Sequence, residues 1–245
     1  MDLTCCLLVW ATLAADPEWV IRREFKADEA HQAAAADEKF FYAVSSTQVA
    51  KYDRETGKRI AVSTGPAKHL NSGFVLEGKL YCAHSNYPAM PELSEIKVCD
   101  LTTMELTTVR DFGDFGGSLT WVVRSGEHWW CNFARYGAKN SETFLVRFDH
   151  AWKETGRWTY PREVVRELGS YSISGGVWRE KELYVTGHDD PVLFVLRLPK
   201  DGAVLELVGK QRAPFTGQGI ANDPRGGLVG IRRDRKLVVF ADEKR

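Results

Sequence analysis

The strongest constraint on this chain is internal repetition: one pattern of short strands returns five times, each copy anchored on an apolar or aromatic residue of its second strand, at Tyr42, Tyr81, Trp130, Tyr184 and Val229. The anchors lie 39, 49, 54 and 45 residues apart, the repeat length of a four-strand unit whose loops vary in size. Each copy opens on small or polar residues: His31-Gln32-Ala33-Ala34-Ala35, His69-Leu70-Asn71-Ser72-Gly73-Phe74, Gly117-Ser118-Leu119-Thr120-Trp121-Val122, Ser172-Ile173-Ser174-Gly175-Gly176-Val177 and Gly217-Gln218-Gly219-Ile220-Ala221. A polar turn follows each opening, such as Glu77-Gly78 or Pro224-Arg225-Gly226, and leads into the anchor strand. Third strands are visible near residues 48–52, 95–99, 144–148, 193–197 and 236–240. Small side chains in the opening strand suit the crowding around a common axis.

The fifth copy reaches Arg245 after its third strand, and the alternating segment Trp19-Val20-Ile21-Arg22-Arg23-Glu24-Phe25 is free to supply the missing outer strand. Such a closure joins the two ends of the chain and leaves no blade edge open. The expected fold is therefore all-β: a five-bladed β-propeller of four-stranded antiparallel blades, closed by an N-terminal strand that completes the last blade. An all-β sandwich accommodates the strand count but not five copies in register. Helical periodicity is confined to residues 162–168.

The 33 basic and 33 acidic residues balance to a formal net charge of zero, so no basic field is present to hold a nucleic-acid backbone. Residues 5–15, Cys-Cys-Leu-Leu-Val-Trp-Ala-Thr-Leu-Ala-Ala, form an apolar run too short to span a bilayer and of the length of a signal-peptide core, although the preceding residues carry no Lys or Arg. We expect residues 1–15 to direct export to the periplasm or exterior and residues 16–245 to form a single, monomeric propeller domain. Cys82, Cys99 and Cys131 are an odd set without paired spacing and read as buried free thiols.

In an up-and-down blade, the start of the first strand and the end of the second share one face of the disc. That rule gathers His31, Gln32, His69, Asn71, Ser174 and Gln218 with His84, Asn86, Tyr87, Asn132, Arg135, Tyr136, His188 and Asp189 around one depression. His128 and His150 fall on the opposite face. His31, His69, His84 and His188 are candidate ligands for Zn, Cu or Fe, with Ca less suited to imidazole; the competing reading is a polar channel in which the same rings only exchange hydrogen bonds. His31, His84, Arg135 and Tyr136 are candidate catalytic groups, the Arg to clamp an anion and the Tyr to donate a hydrogen bond or proton. Gln32, Asn71, Asn86, Tyr87, Asn132, Ser174, Asp189 and Gln218 are candidate ligand contacts. Asp189 and Asp190 could also orient an imidazole or form a solvated turn before Pro191, and Arg135 could stack on an aromatic ring instead. Residues 86–93 form an insertion placed to act as a lid.

No Gly-x-Ser-x-Gly elbow, Walker loop or dinucleotide fingerprint is present, which removes the usual hydrolase, NTPase and nucleotide-cofactor readings. The segments Gly217-Gln218-Gly219-Ile220-Ala221-Asn222-Asp223-Pro224, His31-Gln32 and Tyr52-Asp53-Arg54-Glu55-Thr56-Gly57-Lys58 resemble the plant and bacterial type of glutaminyl cyclotransferase, and more broadly the propellers called quinoprotein-like or gluconolactonase-like. The resemblance implies a five-bladed propeller. Where that cyclotransferase family carries an acidic Asn-Glu-Leu-Glu-type segment in its middle blade, this chain has Gly117-Ser118-Leu119-Thr120-Trp121. Two functions stand: an exported, metal-assisted hydrolase, lyase or cyclase acting on a small carbohydrate- or peptide-derived molecule, or a non-catalytic propeller binding a glycan, peptide or protein on the same face.

Overall fold

A computed structural model describes residues 18–244; the expected export segment, residues 1–15, lies outside them. The chain begins with β1 (Glu18–Lys26). Blade one follows as β2 (Ala33–Ala36), β3 (Phe40–Val44), β4 (Val49–Asp53) and β5 (Arg59–Val62), and blade two as β6 (His69–Leu76), β7 (Lys79–Ser85), β8 (Ser94–Asp100) and β9 (Leu106–Gly113). Blade three is β10 (Ser118–Ser125), β11 (His128–Ala134), β12 (Phe144–Phe148) and β13 (Glu154–Thr159). After α1 (Arg162–Leu168) comes blade four, β14 (Gly175–Arg179), β15 (Glu182–Thr186), β16 (Val192–Arg197) and β17 (Glu206–Arg212). Blade five holds β18 (Ala221–Asn222), β19 (Leu228–Arg232) and β20 (Leu237–Lys244), with β1 as its outer strand. Five antiparallel four-stranded sheets result, closed by β1 on β20 from Glu18↔Lys244 to Lys26↔Leu237.

The repeat anchors occupy one register. Ala35↔Tyr42, Phe74↔Tyr81, Val123↔Trp130, Val177↔Tyr184 and Ala221↔Val229 are cross-strand partners in successive blades. Where rings meet, each anchor reaches the next blade: Tyr81 lies 5.1 Å from Trp129 and Trp130 lies 4.7 Å from Trp178. Tyr184 packs in one core with Trp19 of the closing strand, and Val229 with the alanines of blade one. A propeller has no single central core, so burial between blades carries its stability, and aromatic rings supply the most buried area per residue.

Three opening strands start later than the sequence suggests, at Ala33, Gly175 and Ala221. Before β2 and β18 the chain bonds around the axis instead, the Gly219 N–H donating to Gln32 O and the Gln218 N–H to Gly187 O, whereas before β14 the Ser174 N–H bonds within its own blade to Thr186 O. Gly217 and Gln218 turn with φ of 70° and 64°, which leaves β18 two residues long. Crowding at the axis explains the small residues there. A Cβ on Gly219 would stand 2.6 Å from the Cβ atoms of both Ala33 and Ser72.

The ring closure is reinforced by charge. Asp223, in the turn between β18 and β19, has its side chain fully buried and receives the guanidinium groups of Arg22 from β1 and Arg54 from blade one. Trp19 of β1 adds a buried hydrogen bond, donating from Nε1 to Gln211 Oε1 at 2.8 Å. Cys82, Cys99 and Cys131 are free and buried, as their sequence context implied. No helix among the described residues is long and apolar enough to cross a membrane.

Candidate functional site on the upper face

The face formed by strand-one starts and strand-two ends, here called upper, is built by two walls that approach over the axis. Residues 86–93 form the first. The loop is braced by Asn86, whose carboxamide donates to Pro91 O and accepts from the Leu93 N–H, both at 2.8 Å. This bracing directs Tyr87 against His69 and Tyr136, with ring centroids 5.3 Å away in each case, and brings Glu92 to 3.4 Å from the Ser118 hydroxyl. The Tyr136 phenol is pushed well above its ordinary pKa by burial, with Tyr87 and Glu92 adding to the effect. It is therefore a protonated donor over the whole physiological range.

The second wall is made by blades four and five. Tyr171, just past α1, stacks on the His188 ring at 4.2 Å and 7° between planes. His188 Nδ1 lies 2.6 Å from Asp189 Oδ2, and its Nε2 lies 3.3 Å from Arg233 Nη1. A carboxylate only accepts and a guanidinium only donates, so the proton sits on Nδ1 and Nε2 is left as the acceptor. The chain of contacts Asp189, His188, Arg233 thus fixes one imidazole tautomer with its basic nitrogen turned toward the cation. Arg233 also acts across the mouth: the His69 pKa is lowered first by burial and then by the Arg233 charge.

Several expected ligand contacts are spent on the scaffold. Asn132 is fully buried; its Nδ2 donates to Thr120 Oγ1 at 2.8 Å and Ile173 O at 3.2 Å, while Oδ1 accepts from the Tyr160 hydroxyl at 2.7 Å. Asn71 donates to Leu119 O, Gln32 to Ser46 Oγ, Gln218 to His188 O and Ser174 to Ser172 O. Arg135 donates to Gly116 O at 2.5 Å and lies 3.6 Å from Glu142, so its charge supports the loop ahead of β10. His31 is half-buried at the axis, with backbone contacts to Glu29 and Val44.

The four candidate metal ligands do not converge. Among the described residues, no group of three or more His, Cys, Asp or Glu side chains is placed to hold an ion. His84 lies to one side, where Nε2 accepts the Lys68 N–H at 3.0 Å and Nδ1 stands 3.4 Å from Glu95 Oε2. It lines a separate cavity of about 290 Å³ with Lys68, Glu95 and Lys97. Its pKa is pushed down to about 4, first by burial and then by the Lys97 charge. His188 Nε2 faces the Arg233 guanidinium at 3.3 Å.

Topology alone puts the Arg232-Arg233 pair and the 86–93 insertion with Glu92 on this face without giving Arg233 or Glu92 a role, and Tyr171 lies in an irregular linker where no periodicity marks it.

No protein-family model matches the chain, and no curated protein matches it significantly in sequence. Among solved structures it is similar to a glutaminyl cyclase from Myxococcus xanthus, with a TM-score of 0.62 and 11% identity over 94% of this chain and 98% of that one. A chain in a crystal structure of a mitotic checkpoint complex aligns with a TM-score of 0.50 and 10% identity, over 98% and 99% of the two chains. At such identities the likeness is one of fold: this chain is a five-bladed β-propeller resembling that cyclase in architecture.

Proposed function

We propose that the upper face binds a small polar molecule bearing a carboxylate or similar anion, derived from carbohydrate or peptide, and that His188 acts on it as a base. The observation that carries this reading is the Asp189, His188, Arg233 arrangement. A ligand anion takes the Arg233 guanidinium, the charge-assisted pairing that group makes best. That transfer releases His188 Nε2, already held in the basic tautomer by Asp189, to remove a proton from the bound molecule. Tyr136 donates a hydrogen bond from the opposite wall, and Tyr87 and Tyr171 flank the ligand. The reading covers hydrolase, lyase and cyclase chemistry, outside the cytoplasm if residues 1–15 direct export. Glutaminyl cyclisation is not included, because the middle blade offers the hydroxyls of Ser118 and Thr120 in place of carboxylates, and Thr120 is already bonded to Ile173 O.

The many polar groups spent on bracing favour a second reading, a rigid binding surface without turnover. Calorimetry and product analysis with a panel of amino-acid, peptide and sugar-acid carboxylates separate the two. Arg233→Ala should weaken binding of any hit at least tenfold, and His188→Gln should retain binding while abolishing turnover. Hits that bind Arg233→Ala as well as wild type would refute the site; binding with no turnover of any hit would select the second reading.

A further inference from the structure

The lower face, opposite the site above, carries an axial cavity of about 420 Å³ to which every blade contributes through the end of its first strand or the turn after it. Ala36, Val75, Val123, Val177 and Pro224 supply one wall segment each, and Phe74 and Trp178 add aromatic surface. This is the size and character of a small-molecule site, apolar walls with a few polar groups at the mouth. It arises from the topology: five strand-one ends converge there, three of them bringing a valine, with Phe74 and Trp178 beside two of those.

Three charged side chains stand at the rim, and two are committed. The Asp37 carboxylate accepts from the Tyr42 hydroxyl at 2.5 Å and from the Lys39 and Phe40 N–H groups at 2.7 Å each. Glu38 lies 3.6 Å from Arg225 Nε. Arg124 is different. Its exposed guanidinium has no carboxylate or carbonyl partner among the described residues, and its one contact is with the Trp129 ring at 5.8 Å. The uncommitted charge at the mouth of an apolar cavity is thus positive.

We propose that this lower cavity binds an amphipathic organic anion, an alkyl or aryl carboxylate whose hydrocarbon part fills the space among Val75, Val123, Val177 and Trp178 while its carboxylate meets Arg124. A charged head paired by Arg at the rim and a body removed from water inside are complementary to these two features together. The site is separate from the upper face and stands whether or not that face is catalytic.

The probe is decanoate, titrated calorimetrically into the folded protein, with decanol as the uncharged analogue. Wild type should bind one decanoate per chain. Arg124→Glu, and decanol in place of decanoate, should each weaken binding at least tenfold, Val75→Trp should abolish it by filling the cavity, and Arg233→Ala on the upper face should leave it unchanged. The absence of saturable one-to-one binding, or equal affinity in Arg124→Glu and wild type, would overturn the proposal. Arg124 is exposed, so its variant folds and remains decisive even if Val75→Trp does not.

Discussion

Replacing Asp223 with Ala tests how the ring is closed. The carboxylate is fully buried and receives two guanidinium groups, but the two differ in environment: the Arg54 side chain is 5% exposed and that of Arg22 is 35% exposed. Arg54 also donates to Asp37 O at 2.6 Å and lies over the Phe240 ring at 4.7 Å, so it cannot follow water outward when its partner is removed. Leaving one buried charge unpaired costs about 3–5 kcal/mol, whereas the solvent-screened Arg22 contact is worth at most about 1 kcal/mol. For a chain of this size the larger figure lowers Tm by roughly 10 °C. Urea unfolding should therefore rank Asp223→Ala as strongly destabilised and Arg22→Ala as mildly so. The double variant Asp223→Ala, Arg54→Met should recover part of the loss, because it removes the stranded charge as well. An Asp223→Ala cost below about 1 kcal/mol, or a double variant less stable than Asp223→Ala alone, would show that the buried network does not hold the closure.

Further expectations follow from the same physics. His84 stays neutral with a pKa of about 4 while an unfolded histidine titrates near 6.5, so as pH falls from about 6.5 to about 4 the unfolded chain gains a proton that the folded one refuses. Stability should be full above that window and fall by roughly 3 kcal/mol across it, a component that urea midpoints against pH should no longer show in His84→Gln. Gly219→Ala places a methyl 2.6 Å from two Cβ atoms at the axis and should cost about 1–3 kcal/mol or more, whereas Gly209→Ala, with nothing within 4 Å of the added carbon, should be nearly neutral in the same assay. The thiols of Cys82, Cys99 and Cys131 are all held above their ordinary pKa by burial, that of Cys99 at about 12; a disulfide reagent at pH 8, mapped by mass spectrometry, should label none of them until the protein is unfolded.

The propeller was readable because its repeat is a packing rule: each anchor packs toward a neighbouring blade, so an apolar or aromatic side chain had to recur at the same register in five places. The upper face was readable for a related reason, since topology alone sends strand-one starts and strand-two ends to one side. Side-chain direction was not, and the bulges show why. Register shifts between Leu70 and Gly73 in blade two and between Leu119 and Trp121 in blade three break the alternation where the candidate polar residues lie. Asn71 and Thr120 sit within those shifts, and their side chains bond to carbonyls of neighbouring blades. A bulge of this kind leaves almost no mark in sequence, because it depends on which backbone groups a neighbouring blade offers. The same holds for Arg233. Its residue type and its place after β19 were plain, but its position beside His188 comes from the short 3-10 turn Arg233–Arg235, ended by Lys236 at φ 51°. A ring of polar residues inferred from topology is thus divided by local backbone geometry into groups that hold the blades together and a few, His188 and Arg233 foremost, whose side chains meet each other instead.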